Sequence, residues 1–178
     1  MTEFQKKLDA RIRNVPDFPK AGILFKDITP ILQDAPLFHE TVDAMVKELQ
    51  SERITSVAGI ESRGFIFASA IAYKMQVPLN LLRKPGKLPW KTKRQTYSLE
   101  YGADAIELHE DAVRPGDKVA LVDDLLATGG TATAAAELLR ASGAEVCKIL
   151  FVIELIFLKG REKLEHEGFQ NTLSLISY

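Results

Sequence analysis

The sequence predicts an α/β fold in which a mainly parallel sheet is covered by helices. Short apolar segments alternate with segments that carry apolar residues at helical spacing, and this alternation is typical of βα units. The segments at 54–60, 77–83, 119–122 and 145–153 are almost entirely apolar, as expected for strands buried on both faces. Because 178 residues with 46% hydrophobic composition can form one sizeable core, we expect a single domain over residues 1–178.

The N-terminal part of the chain is predicted to be helical at both ends and irregular between them. Phe4, Leu8 and Ile12 recur every four residues and indicate a short amphipathic helix. Residues 15–30 are punctuated by proline and are expected to be irregular, although they carry many apolar side chains. From 36 to 53, apolar residues at helical spacing predict a longer helix.

The middle of the chain begins with the alternating pattern and then departs from it. The turn Glu-Ser-Arg-Gly at 61–64 separates the first strand from an apolar helix over about 65–75. After the strand at 77–83, residues 84–96 are rich in basic residues, proline and glycine, and are expected to form a loop. The segments YSLEY and AIELHE, on either side of Gly102, predict two strands of an antiparallel excursion.

The C-terminal part returns to alternating strands and helices. The predicted elements are a strand at 119–122, a helix at 130–142, a strand at 145–153, an amphipathic segment at 158–167 and a strand at 172–178. In open α/β sheets, ligands bind beyond the carboxyl ends of the strands, at a switch in strand order. The turns after 54–60 and after 119–122 both lie at carboxyl ends, so we expect the site there.

Composition and charge exclude several classes of protein. A net charge of −1 argues against general nucleic-acid binding, which needs a strongly basic surface. The longest apolar stretch, residues 149–158, is too short for a bilayer, which takes about 20 residues, and residues 1–13 lack an apolar signal core. We therefore expect a cytoplasmic protein with neither a membrane nor a nucleic-acid partner.

The sequence also offers no metal site built from cysteine and histidine. The single Cys147 lies in an apolar segment, and we expect a buried, inert thiol. His39, His109 and His166 are scattered among polar neighbours without ligand spacing, so we expect them at the surface and no protein-built zinc site.

The segment VALVDDLLATGGT, residues 119–131, combines a buried strand, two acids and a Gly-Gly turn before a helix. A helix N-terminus offers unpaired N–H groups, and glycine lets an anion approach the backbone, so Thr128–Thr131 predicts a phosphate cradle. Two adjacent like charges repel each other and are costly to bury in a core. Asp123 and Asp124 therefore suggest a ligand with hydroxyl groups or a cation near its phosphate. A ribose 5-phosphate fits, and an ordinary strand–turn–helix unit with solvated acids remains the alternative.

The same segment resembles the 5-phosphoribosyl 1-pyrophosphate (PRPP) signature of the type I phosphoribosyltransferases, whose fold is Rossmann-like. The segments DFPKAGILFKDITPIL, GIESRGFIFA, RKPGKLPWKT, YSLEYG and IELIFLKGREKL resemble, in the same order, segments of the adenine-specific members of this family. The resemblance covers residues 15–178. It implies a purine-salvage enzyme that converts adenine and PRPP to AMP and pyrophosphate, with Mg²⁺ carried by PRPP, and it implies a homodimer.

The resemblance also assigns roles to residues around PRPP. The 5′-phosphate and ribose are expected at Asp123, Asp124, Ala127, Thr128, Gly129, Gly130 and Thr131. Pyrophosphate is expected at Ser62 and Arg63, the latter also catalytic, with a cis peptide at Glu61–Ser62 or Ser62–Arg63. Residues 83–94 contain six basic residues and no acid, and beside a polyphosphate they suggest a flexible lid over residues 84–101, with Arg83 and Lys87 in direct contact.

For the base, the resemblance implies a separate set of residues. Ala127 stands where the 6-oxopurine relatives carry an aspartate, which counts against hypoxanthine and guanine. The base catalyst is therefore expected at Glu100, in the lid beside Tyr101. The adenine pocket is expected within residues 1–35 and on the opposite side, at Leu24, Phe25, Lys26, Leu126 and Leu155. Lys26 stands where many relatives have arginine.

Three other functions would account for parts of the sequence. A PRPP-sensing regulator needs a DNA-binding element, and about 15 residues before the matched region are too few for a helix-turn-helix. A phosphotransfer receiver would carry its acids after an early strand, a layout that this sequence lacks. A phosphoribosyltransferase with a broader range of 6-aminopurines remains open.

Overall fold

The computed structural model describes residues 1–99 and 102–178, with side chains for all of these except 98, 99 and 102. Their contacts divide the chain into two compact units, Met1–Ala44 and Met45–Tyr178. Helix α3, Ala35–Leu49, runs across the boundary.

The first unit contains α1 (Glu3–Arg11), β1 (Arg13–Pro16), β2 (Leu24–Asp27), α2 (Thr29–Leu32) and the first turns of α3. Thr2 begins α1 with a capping box, in which its hydroxyl accepts from the Gln5 amide at 3.2 Å and its own amide donates to the Gln5 side chain at 2.9 Å. The predicted N-terminal helix is therefore confirmed.

The prediction that residues 15–30 are irregular was wrong in part. Strands β1 and β2 pair antiparallel, with Val15 opposite Phe25, and α2 follows at once. The prolines lie where a short ribbon tolerates them, with Pro16 at the end of β1, Pro19 after a cis peptide in the connection and Pro30 in the first turn of α2. The helix predicted to reach residue 53 ends at Leu49, and a turn follows in which Arg53 has a positive φ of 49°.

The second unit is built on a five-stranded sheet within the described residues. Its order is β4-β3-β7-β8-β9, and each adjacent pair is parallel. The strands are β3 (Ser56–Ile60), β4 (Leu79–Leu82), β7 (Lys118–Leu126), β8 (Glu145–Glu154) and β9 (Thr172–Ser177). The helices of this unit are α4 (Gly64–Met75), α5 (Gly130–Ala141) and α6 (Gly160–His166), with a 3₁₀ turn at Ile156–Leu158. The predicted α/β class and parallel sheet are confirmed.

Helix α5 covers one face of this sheet through small side chains. Ala132, Ala135 and Ala136 are almost inaccessible and belong to one buried cluster with Leu121 and Phe151 of the central strands. Small residues let the helix axis approach the sheet closely, so the N-terminal end of α5 is held at a fixed height above the end of β7. That position matters for the site described below.

The antiparallel excursion is longer than the sequence predicts. Strand β5 (Thr92–Leu99) pairs with β6 (Gly102–His109) in a two-stranded ribbon, the β5–β6 ribbon, so the loop predicted over 84–96 ends before Thr92. Buried side chains on β6, including Ile106 and Leu108, give β5 an anchored partner despite its polar composition. Gln95 Nε2 also donates to Glu137 on α5 at 3.1 Å. We call the remaining segment, residues 84–91, the basic loop.

Other composition-based predictions have mixed outcomes. Cys147 is buried, as predicted, and burial raises the pKa of its thiol to about 11, which favours the unreactive protonated form. His39 and His166 are exposed, but His109 was wrongly expected at the surface, because it ends β6 half-buried. Within the described residues, no helix is both long and apolar enough to cross a membrane.

Candidate functional site

A cleft of about 400 Å³ opens at the carboxyl ends of β3 and β7. These neighbouring strands lie where the strand order switches, since β4 extends the sheet on one side of β3 and β7 extends it on the other. The lining comprises Ile60–Arg63, Lys84 and Asp123–Ala132. The two turns singled out by the sequence therefore frame one cleft, as predicted.

The first turn, Ala127–Thr131, is here called the Gly-Gly loop. Strand β7 ends at Leu126, and α5 begins at Gly130. Gly129 caps the helix with φ of 79°, and a Cβ at this position would lie 2.7 Å from the carbonyl oxygen of Gly160. Only glycine fits there. The first residues of α5 line the cleft, and the backbone N–H groups of a first helical turn have no partners within the helix. Such a loop is suited to a phosphate.

Asp123 and Asp124 lie at the end of β7 beside this loop. Asp124 is 4% exposed, and its Oδ2 lies 2.8 Å from Nε of Arg63. Burial raises the pKa of Asp124, although the Arg63 guanidinium opposes this. Asp123 Oδ1 accepts a hydrogen bond from the Asp124 amide at 2.8 Å. Burial and the adjacent charge of Asp124 raise the pKa of Asp123 well above its usual range.

The second turn, Glu61–Gly64, is here called the Arg turn. Its Glu61–Ser62 peptide bond is cis, which confirms the expected cis peptide. Glu61 accepts hydrogen bonds from Arg83 Nη2 at 2.7 Å and from the Lys84 amide at 3.0 Å, and the Arg83 bond lowers the pKa of Glu61. A Cβ on Gly64 would lie 2.8 Å from Asp123 Oδ1, so α4 begins directly against the aspartate pair.

Lys84 contributes the cation that the basic loop brings to the cleft. Its ammonium donates to the Tyr97 hydroxyl at 2.9 Å and forms a short ion pair with Asp104. Burial works to lower the pKa of Lys84, but these two contacts outweigh it and raise the pKa. The Tyr97 hydroxyl also accepts from Thr131 Oγ1 at 3.0 Å, so this network joins the β5–β6 ribbon to the Gly-Gly loop.

The sequence predicts that Arg83 and Lys87, rather than Lys84, contact the pyrophosphate. The Arg83 guanidinium is engaged by Glu61 and donates to the Lys87 carbonyl at 2.8 Å, and among the described residues it is Lys84 that lines the cleft. All three lie in the same basic run, so charge alone does not distinguish them. Which of the three side chains lines the cleft depends on its position along this run.

The described residues gather part of the predicted site. The cleft brings together Ser62, Arg63, Asp123, Asp124, Leu126, Ala127, Thr128, Gly129, Gly130 and Thr131. Leu24, Phe25 and Lys26 lie on β2 in the first unit, with Leu24 exposed and Lys26 buried. Leu155 follows β8, and its amide donates to the Leu126 carbonyl at 2.9 Å. Glu100 and Tyr101 lie outside the described residues.

Comparison with known proteins agrees with this geometry. Residues 30–172 match the model of the phosphoribosyl transferase domain. The adenine phosphoribosyltransferase of Anaeromyxobacter dehalogenans (strain 2CP-1) is 55% identical over 165 residues, which cover 93% of this chain and 96% of that protein. The enzyme of the same name from Anaeromyxobacter sp. (strain Fw109-5) is 51% identical over 178 residues, covering 100% and 99%.

Solved structures give the same result. The adenine phosphoribosyltransferase of Thermoanaerobacter pseudethanolicus superposes with a TM-score of 0.94 at 46% identity, covering 98% of this chain and 99% of that one. The Saccharomyces cerevisiae enzyme, at 36% identity and a TM-score of 0.91 over 98% and 99% of the two chains, was solved with adenine and an imino-altritol bisphosphate.

The fold, the cleft and the domain match define a phosphoribosyltransferase. Within that class, the identity over nearly the full length of both chains is decisive. The chain belongs to the adenine phosphoribosyltransferase family.

Proposed function

We propose that this chain transfers the 5-phosphoribosyl group from PRPP to adenine, giving AMP and pyrophosphate, and that its cleft residues act as follows. The observation that carries the proposal is the cleft at the strand switch, where an uncharged glycine loop, three acids and two cations surround about 400 Å³. The 5′-phosphate binds the backbone N–H groups of the Gly-Gly loop, with the hydroxyls of Thr128 and Thr131 as further donors.

The ribose lies beside the aspartate pair. The carboxylates of Asp123 and Asp124 accept hydrogen bonds from its 2′ and 3′ hydroxyl groups, and their negative charge favours the oxocarbenium-like state at C1. Burial raises the pKa of both acids, and the charge of Asp124 raises that of Asp123 further, so the carboxylates are costly to ionise. Hydrogen bonds from the bound ribose relieve part of this cost.

The pyrophosphate leaves on the side of the Arg turn. Ser62 and Arg63 bind it there, with Lys84 and Lys87 brought by the basic loop, and Arg83 holds the loop through Glu61. The cleft acids are hard oxygen donors of the kind that Mg²⁺ prefers. Mg²⁺ would be carried by PRPP rather than by a site built from protein side chains, and it would supply charge neutralisation at the leaving group.

By family resemblance, the residues proposed to contact adenine are Leu24, Phe25, Lys26, Leu126 and Leu155. Phe25 contacts Phe18 edge-on, with ring centroids 5.1 Å apart, and both belong to the apolar surface of the first unit. Glu100 is proposed to remove the ring N–H proton of adenine, and Tyr101 to belong to the lid. By family resemblance we also propose a homodimer that acts in cytoplasmic purine salvage.

Pyrophosphate release tests the proposal directly. The purified chain is incubated with PRPP, Mg²⁺ and, in separate reactions, adenine, hypoxanthine, guanine, xanthine or orotate. Turnover with adenine and with none of the others is expected, because Ala127 removes the carboxylate that the 6-oxopurine enzymes use. Binding of PRPP without turnover of any base would instead indicate a PRPP sensor.

A further inference from the structure

Glu154 is a carboxylate inside an otherwise apolar run, at the end of β8. It interrupts the run of residues 149–158 and is 5% exposed. Burying a charge is costly unless it is paired and hydrogen-bonded, so the position needs a partner that outweighs the loss of hydration.

That partner is Arg161, the second residue of α6. Arg161 Nε donates to Glu154 Oε1 at 2.9 Å, and Nη2 forms a short bond with Oε2, so the pair is bidentate. The remaining donors reach β9, with Nη1 2.5 Å from the Thr172 carbonyl oxygen and Nη2 3.4 Å from Ser174 Oγ. One guanidinium therefore ties the end of β8, the start of α6 and the edge strand together.

The residue before Arg161 lies against the Gly-Gly loop. A Cβ on Gly160 would overlap the Ala127 carbonyl oxygen and lie 3.0 Å from the Gly129 amide nitrogen, and a Cβ on Gly129 would lie 2.7 Å from the Gly160 carbonyl oxygen. The backbone at the start of α6 is thus in direct contact with the Gly-Gly loop. Since Arg161 fixes where α6 begins, it also fixes the position of this contact.

We propose that Arg161, through its bidentate pair with Glu154, is a positioning residue that holds Gly160 against the Gly-Gly loop and so sets the affinity for the 5′-phosphate of PRPP. The inference rests on the proposed function, since it takes this loop to be the phosphate site. Neither residue lines the cleft as the described residues form it, so both act through Gly160.

Binding of two product-like ligands separates this role from a general loss of stability. Ribose 5-phosphate probes the Gly-Gly loop, and pyrophosphate probes the Arg turn. We expect Arg161→Met to raise the Kd of ribose 5-phosphate about tenfold, less than the roughly 100-fold that a 1 Å misplacement can cost. The Kd of pyrophosphate should stay within about twofold, as for independent sites. In turnover, KM for PRPP rises while kcat changes little.

Arg140→Met is the matched control. Arg140 also braces the region of α6, because its Nη1 donates to the Glu167 carbonyl at 3.0 Å and its guanidinium lies 4.6 Å from the Phe169 ring centroid. The Arg140→Met variant removes the same charge, and these two contacts of Arg140 do not involve Gly160. We expect it to lower Tm yet leave ribose 5-phosphate binding within about twofold of wild type.

Conservative variants test the pairing itself. Arg161→Lys keeps the charge but loses the fork, so its Kd for ribose 5-phosphate should fall between those of wild type and Arg161→Met. Glu154→Gln should weaken ribose 5-phosphate binding as well, and the double variant should bind no worse than Arg161→Met alone. Should Arg161→Met not fold, Arg161→Lys and Glu154→Gln carry the test.

The inference is overturned if these variants bind ribose 5-phosphate as wild type does, or if Arg140→Met weakens it equally. A wild-type chain that neither binds ribose 5-phosphate nor turns over PRPP with adenine would refute the proposed function instead.

Discussion

The Gly-Gly loop and the Arg turn follow neighbouring parallel strands, yet they are built in opposite ways. None of the residues Ala127–Thr131 carries a charge, and the loop is held by backbone contact between Gly129 and Gly160. The Arg turn carries Glu61 and Arg63 and is held by ion pairs to Arg83 and Asp124.

The difference matches the two ends of the proposed substrate. A phosphate that keeps its charge throughout the reaction is served by fixed N–H groups, which bind ground state and transition state alike. A leaving pyrophosphate gains negative charge as the bond to C1 breaks, so cations near it contribute mainly in the transition state. The comparison predicts that damage to the loop weakens binding, whereas damage around the Arg turn also slows the chemistry.

The largest effect should come from a residue in neither turn. Glu100→Gln is expected to lower kcat by about 10²–10⁴-fold, the range of general acid–base catalysis, because the amide cannot take the adenine proton. KM for PRPP should change little, since both turns are intact. Steady-state kinetics with adenine measures this, and a kcat within about threefold of wild type would remove Glu100 from the mechanism.

A change in the Gly-Gly loop should mainly affect binding. Gly129→Ala places a Cβ 2.7 Å from the Gly160 carbonyl and should raise KM for PRPP by up to about 100-fold through displacement of the loop. Gly116→Ala is the control, because Gly116 has a similar φ of 87° but nothing within 4 Å of its Cβ position. If both variants raised KM for PRPP equally, the positive φ, and not the contact with the Gly160 carbonyl, would explain the effect of Gly129→Ala.

The aspartate pair should reveal a conflict between stability and activity. Asp123→Asn keeps an acceptor for the Asp124 amide but loses the charge, so kcat/KM should fall about 10- to 100-fold, as for a lost charge-assisted hydrogen bond. Tm at pH 7 should nevertheless rise by about 2–4 °C, the shift that roughly 1 kcal/mol gives in a chain of this size.

The sign of this stability change follows from the raised pKa of Asp123. Between its usual pKa and its raised value, the folded state binds more protons than the unfolded state, so wild-type stability falls as pH rises through that window. Asp123→Asn has no carboxyl group to ionise and does not lose this stability. The difference in Tm between Asp123→Asn and wild type should therefore grow from pH 4 upward. Thermal unfolding between pH 4 and 8 tests it, and an advantage that shrinks with pH would contradict the stated cause.

The smallest effect is expected at Lys84. Lys84→Met should raise the inhibition constant of pyrophosphate about tenfold, because one charge-assisted hydrogen bond is lost while Asp104 loses its partner as well. Ribose 5-phosphate binding should stay within about twofold of wild type, because Thr131 can still donate to the Tyr97 hydroxyl. Lys118→Met, which removes an exposed lysine 3.8 Å from Glu145 at the opposite end of β7, is the matched control. If Lys84→Met weakened the binding of pyrophosphate and of ribose 5-phosphate equally, the Arg turn and the Gly-Gly loop would not be separate binding sites for the two ligands.

The sequence was most informative where one residue type satisfies a local backbone rule. The turn glycines and the acids near the end of β7 were found because hydrophobic strands end at recognisable points and helix starts bind anions. The strand itself continues to Leu126, four residues beyond the predicted end at 122. Lys84 could not be chosen over Arg83 and Lys87, because that depends on which side chain Glu61 engages. Gly160 was missed because its role depends on contact with a loop about 30 residues earlier in the chain.

The anchoring of the basic loop at both ends lowers the entropy that is lost when the loop becomes ordered. Arg83 pairs with Glu107 through backbone bonds of 2.7 and 3.0 Å, and the Glu110 amide donates to the Lys91 carbonyl at 3.0 Å. Both ends of residues 84–91 are thus fixed to one stretch of chain, three residues apart. The entropy of closing this loop has already been lost on folding, so ordering it over a ligand costs less than ordering a free segment of equal length.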